Sequence, residues 1–167
     1  MALANPVKLP AILAALLVSG IAPGSGAQAV RQAFQSEARV DGIFSGDNAA
    51  VHGGYGMSVP LGTYVRGGLV VGAGPGRHGL EGRSDLIGRF SFDPFRQSRW
   101  APYVGGGISA RYNSTADGSS KGYLLFFLGL EGPFRGQVGG WVPAVEAGLG
   151  GGARVAVIAR RGIRGRR

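Results

Sequence analysis

The sequence predicts an all-β fold, an eight-stranded antiparallel up-and-down transmembrane β-barrel. Three observations carry that expectation. From Phe34 onward apolar or small residues recur at every second position, and no 3.6-residue stripe follows the first segment of the chain. The face opposite the apolar one carries arginine, carboxylates and glycine, which suits lipid on one side and a polar interior on the other. The alternating segments are also the right length. Ten residues rise roughly 33 Å, and a ~40° tilt reduces that to about the 25 Å of an outer-membrane apolar band.

Composition agrees with a folded, membrane-facing chain. Glycine supplies 33 of 167 residues, which in a polar chain would indicate disorder, but here 44% of residues are hydrophobic and 16% charged. There is no cysteine, so disulfides and thiolate metal sites are excluded. The formal charge is +9, with lysine present only at Lys8 and Lys121 and the other basic residues all arginine. Such a balance raises nucleic acid as a partner, but behind an export signal it points to anionic lipid instead.

That signal is expected at 1–29, leaving 30–167 as the barrel domain with a short basic C-terminal tail. Lys8 precedes an apolar run over 11–22, and Ala27-Gln28-Ala29 supplies a small-x-small cleavage site before Val30. The run is shorter than the ~20 residues of a spanning helix.

Eight strands follow in order. The first, 34–44, sets Phe34, Ser36, Ala38, Val40 and Phe44 against Gln35, Glu37, Arg39 and Asp41. After a turn at Ser45-Gly46-Asp47-Asn48, the second, 49–59, sets Val51, Tyr55, Met57 and Val59 against His52 and Ser58. Pro60-Leu61-Gly62 connects to the third, 63–73, with Val65, Leu69 and Val71 opposite Tyr64, Arg66 and Val70. Residues 74–82 read as a glycine-rich loop. The fourth strand, 83–93, places Leu86, Phe90 and Phe92 opposite Arg83, Asp85 and Arg89; 93–99 is a turn.

The fifth strand, 100–112, is the most telling. Val104, Ile108 and Tyr112 alternate with Tyr103, Ser109 and Arg111, and glycine fills 105–107. A polar loop over 113–121 leads to the sixth, 122–131, where Leu124, Phe126, Leu128 and Leu130 form the strongest apolar face, opposite Glu131. The seventh, 141–149, opposes Trp141, Val145 and Leu149 to Glu146. The eighth follows Gly150-Gly151-Gly152 and sets Val155, Val157 and Ala159 against Arg154 and Arg160, before a basic tail at 161–167. An even strand count returns both ends of the barrel sheet to one side.

The run Pro102-Tyr103-Val104-Gly105-Gly106-Gly107, entering an alternating strand after a short turn, resembles the small outer-membrane barrels of the OmpA/OmpX-like superfamily. The eight-strand layout is similar as well. The resemblance implies a protein of the bacterial cell outer membrane, inserted by the outer-membrane assembly machinery and in contact with outer-membrane lipid and lipopolysaccharide. Members usually finish their last strand on an aromatic, where this chain reads Arg-Gly-Ile-Arg-Gly-Arg-Arg.

Alternation directs Glu37, Arg39, Asp41, Arg66, Arg83, Asp85, Arg89, Arg111, Glu131, Glu146, Arg154 and Arg160 to one face. In an eight-stranded barrel the interior is just wide enough for side chains to fill, so these residues are expected to form a lumen-plugging charge network. A narrow anion passage is the alternative use of the same groups. Trp100, Tyr112 and Trp141 are expected near the membrane interfaces.

Other chemistry finds little support. Gly74-Pro-Gly-Arg-His-Gly79 matches a dinucleotide fingerprint but leads into a strand rather than a helix. Two histidines make a poor metal site, and Asn113-Ser-Thr115 reads as an ordinary polar loop. The expectation is therefore a monomeric structural or surface-interaction barrel with no catalytic residues, no metal, no cofactor and no nucleic-acid partner. One alternative is a lipid A-modifying barrel enzyme using His78, Ser84 and Asp85. Another is a soluble exported barrel with inverted faces, holding a small apolar ligand among Phe90, Phe92, Leu124 and Phe126.

Overall fold

The computed structural model describes residues 34–46, 48–77, 79–113, 120–133 and 140–163. The expected leader at 1–29, His78, positions 114–115 of the sequon and positions 164–167 of the tail lie outside them. Eight strands close into one barrel: β1 Phe34–Ser45, β2 Asn48–Pro60, β3 Val65–Gly76, β4 Gly79–Ser91, β5 Ala101–Asn113, β6 Ser120–Glu131, β7 Trp141–Leu149 and β8 Ala153–Ile163. Each strand pairs antiparallel with the next, and β1 closes on β8 from Phe34↔Ile163 to Phe44↔Ala153. Closure matters physically, because in lipid an open sheet edge would leave backbone N–H and C=O groups without partners.

The largest boundary differences from the sequence expectation lie at 74–82 and after position 160. Residues 74–82 are not a loop: β3 continues to Gly76 and β4 begins at Gly79, with Gly74↔Glu81 and Pro75↔Leu80 in register. The glycine and proline content suggested a break, yet the ladder to the neighbouring strand carries the backbone through it. Likewise Arg161–Ile163 is strand rather than tail, because β1 offers Phe34, Gln35 and Ser36 as pairing partners.

Side chains alternate between outside and lumen. Leu124, Phe126 and Leu128 are 68%, 63% and 63% exposed on the outer wall, whereas Arg39, Asp41 and Arg160 are 4%, 0% and 0% exposed inside. Phe90 and Phe92 also face out, so the inverted, soluble arrangement is not the one adopted. Tyr64 departs from its expected inward position. It precedes β3 and stacks outside on Phe90, with ring centroids 5.7 Å apart, because a strand that starts at Val65 leaves Tyr64 free of the alternation.

Glycine makes room for the few aromatic rings inside. Tyr103 and Gly129 are direct cross-strand partners, as are Gly105 and Phe127. A Cβ at Gly129 would collide with the Tyr103 ring, and one at Gly105 with the Phe127 ring. The two rings meet edge-on at 6.3 Å, a contact worth about 0.5–1.5 kcal/mol beyond its buried area. Val70, Ile87, Leu125 and Ile158 complete this small apolar part of the interior.

The barrel has two unlike ends. Connections 61–64, 92–100 and 132–140 share one end with Phe34 and Ile163, here called the terminal end. The opposite, hairpin end has connections 46–47, 77–78, 114–119 and 150–152.

Candidate functional site

The functional candidate is the lumen itself. Each strand places its polar residues there for the reason already given: alternate positions point inward, and the outer wall takes the apolar ones. The arginines of the network come from β1, β3, β4, β5 and β8 and cannot meet until the barrel closes.

At the terminal end the hub is Arg160, fully buried on β8. It donates from Nε to Glu37 Oε2 (3.0 Å), from Nη1 to Glu131 Oε2 (3.0 Å) and from Nη2 to the Tyr103 hydroxyl (2.9 Å). Its guanidinium also lies 4.6 Å from the centre of the Tyr103 ring. Glu37 takes two more cations, Arg89 at 3.0 Å and Arg39 at 3.1 Å. Arg66 donates to Ser58 at this end of the lumen.

The middle of the barrel is a lattice of shared ions. Arg39 bridges Glu37, Asp41 and Glu146, the last at 2.9 Å. Asp41 accepts from Arg39, from Arg83 at 2.6 Å and from Arg154 at 3.2 Å. Asp85 accepts from Arg154 at 2.9 Å and from the Ser109 hydroxyl at 2.6 Å. Sharing is what makes such burial tolerable. An isolated charge in a low-dielectric interior costs several kcal/mol, and only multiple opposed partners offset it.

Toward the hairpin end the pairing thins. Arg111 donates to Glu81 Oε2 (3.0 Å) and to the Gly151 carbonyl (3.0 Å). That carbonyl is presented by the turn at 150–152, where positive φ at Gly151 (70°) and Gly152 (146°) requires glycine. His52 is completely buried 3.8 Å from Glu81, and neither of its ring nitrogens has a hydrogen-bond partner among the described residues. Nε and Nη1 of Arg83 are likewise without one.

All twelve residues expected in the network therefore point into the lumen. The ion pairs just described join ten of them; Arg111 pairs instead with Glu81, and Arg66 reaches Ser58 beside them. One participant escaped sequence reading: Glu81 was concealed by the apparent 74–82 loop, although Glu81, Arg83 and Asp85 share one parity. Tyr103 and His52, placed on the inward face by alternation, also take part. Trp100 and Trp141 lie exposed at the terminal end and Tyr112 at the hairpin end.

Catalytic geometry does not form around the serine–aspartate pair. Ser84 faces outward and Asp85 is buried inside, on opposite faces of β4. Among the described residues no group of three or more His, Asp or Glu side chains is arranged to hold a metal.

No protein-family model matches the chain, and no curated protein matches it. Among solved structures, the N-terminal β-barrel domain of OprF from Pseudomonas aeruginosa superposes with a TM-score of 0.55 at 16% identity. The match covers 78% of this chain and 98% of that one. The fold is that of a small outer-membrane β-barrel. OprG, an outer membrane protein of the same organism, matches with a TM-score of 0.49 at 10% identity, covering 79% of this chain and 91% of that one.

Proposed function

We propose that the chain is an integral protein of the bacterial outer membrane with a structural or surface-interaction role, its lumen sealed by the arginine–carboxylate network. The observation that supports this reading is the inverted burial: a continuous apolar outer wall around a charged interior, the reverse of a water-soluble protein. Export by a leader at 1–29, insertion by the outer-membrane assembly machinery and contact with lipid and lipopolysaccharide belong to the same proposal. So does the placement of Trp100, Trp141 and Tyr112 at the two interfaces. A closed ladder needs no partner strand, which favours a monomer.

Fractionation tests the membrane reading. The mature chain should require detergent for extraction and should shift its gel mobility on heating. Recovery in the aqueous envelope fraction without a heat shift defeats it. Planar bilayers test the seal: purified protein should give no ohmic current, whereas steady conductance steps would favour the anion passage.

A further inference from the structure

At the hairpin end lies a polar cup of about 200 Å³, to which the lumen network contributes Arg111. Ser45, Glu81, Arg111, Asn113, Lys121 and Tyr123 line it. Its cations are arranged in an unusual way. Arg83 is the direct cross-strand partner of Arg111, and Arg111 is the direct partner of Lys121. Three positive side chains thus lie side by side across β4, β5 and β6 on the lumen face. Direct neighbours sit roughly 4.5–5.5 Å apart at Cβ, where like charges repel.

Carboxylates answer this row unevenly. Arg83 has Asp41 and Asp85, and Arg111 has Glu81. Lys121, exposed at the mouth, has no acidic partner among the described residues. The cup therefore holds Arg111 and Lys121 against one carboxylate, and that carboxylate is already engaged. Among the described residues, Arg111 spends its guanidinium N–H groups on Glu81 and the Gly151 carbonyl, two of the five it carries. Below the cup, 3.8 Å from Glu81, buried His52 has no hydrogen-bond partner for either ring nitrogen among the described residues, so Glu81 is not drawn away from Arg111 by a hydrogen bond to it.

We infer that this cup is a binding site for a phosphate group, held between Arg111 and Lys121. A phosphate monoester offers three acceptor oxygens, enough to bridge an Arg fork and a neighbouring ammonium. Ser45, Asn113 and Tyr123 add neutral donors at the rim. The shared chemistry is the phosphate oxyanion, which can be free in solution or carried by a lipid headgroup. Phosphate binding is separable from the sealing role, since a barrel that retains its heat-modifiable mobility can still fail to bind phosphate.

The test uses the full mature barrel in zwitterionic detergent micelles at constant ionic strength. One arm titrates inorganic phosphate by calorimetry, with chloride as the control. A second arm titrates phosphatidic acid against phosphatidylcholine in mixed micelles. Lys121→Gln, at an exposed site, should weaken binding about tenfold, the loss of one charge-assisted contact. Arg111→Gln should weaken it at least as much, and Arg99→Gln at the opposite end should leave it unchanged. Saturable binding of inorganic phosphate with this pattern supports a free-phosphate ligand. The same pattern with phosphatidic acid alone supports a lipid source. Binding in neither arm, or equal affinity in the parent, Lys121→Gln and Arg99→Gln proteins, overturns the inference.

Discussion

The two halves of the lumen solve the burial of charge differently. In the terminal half every donor nitrogen of Arg160 reaches an acceptor, and Tyr103 both accepts from Arg160 and covers it with a ring. Arg89, whose Nε and Nη1 lack hydrogen-bond partners among the described residues, still lies 5.3 Å from the centre of that same ring. In the hairpin half, Arg83 and His52 are equally buried but keep nitrogens without hydrogen-bond partners among the described residues, whereas the Tyr103 ring serves the terminal half. Net charge balance alone does not make a tight plug. Tightness needs acceptors in the right directions and an aromatic face to take what they leave.

Substitutions can break that contrast. Glu37→Gln should have the largest effect, because it strips a shared carboxylate from Arg39, Arg89 and Arg160 together. Removing one partner of a buried pair costs about 3–5 kcal/mol. Urea unfolding of the micelle-bound barrel, followed by tryptophan fluorescence, should show a loss of that size; an unchanged midpoint would mean the terminal half is not tight.

Gly105→Ala comes next. Its methyl would press on the Phe127 ring, and overpacking of this kind costs about 1–3 kcal/mol. The same titration reads it, and a neutral result would show that the interior repacks freely.

His52→Leu should change stability by less than about 1 kcal/mol, since exchanging an unsatisfied polar group for an apolar one of similar size is nearly neutral. A loss as large as that of Glu37→Gln would erase the difference between the halves.

The smallest effect is expected outside the lumen, at Asp93 in the 92–100 connection. Its carboxylate accepts backbone N–H groups from Ser98 (2.7 Å) and Gln97 (3.0 Å), which hold its pKa below the ordinary carboxylate value. A depressed pKa contributes order that is present above the unfolded value and is lost as pH falls through the folded one. Protease cleavage within 92–100 should therefore rise at acid pH in the parent. Asp93→Asn should show the raised rate already at pH 7, with barrel stability unaltered.

Most of the fold was legible from alternation. All eight strands could be placed because a two-residue period with arginine on one face fits few folds besides a membrane barrel. The start of β4 could not be, and Glu81 was lost with it. Locally, Gly74-Pro75-Gly76 looks like a chain break; what keeps it in the sheet is pairing with Leu80 and Glu81 across a tight hairpin. Tyr64 went astray for a related reason, since alternation applies only inside a strand and the strand begins one residue later.

The sequence alone determined which residues would face outward and which the lumen, because side-chain parity along a strand is a local property of the backbone. It also determined that the lumen would hold seven arginines against five carboxylates. Only the closed barrel decided the rest: which acid meets which base, that Tyr103 sits over Arg160, and that Lys121 lies beside Arg111 at the mouth. Those contacts join residues as far apart as Glu37 and Arg160, which the register between β1 and β8 brings face to face. Register between distant strands is set by closure of the whole sheet, and no single segment encodes it.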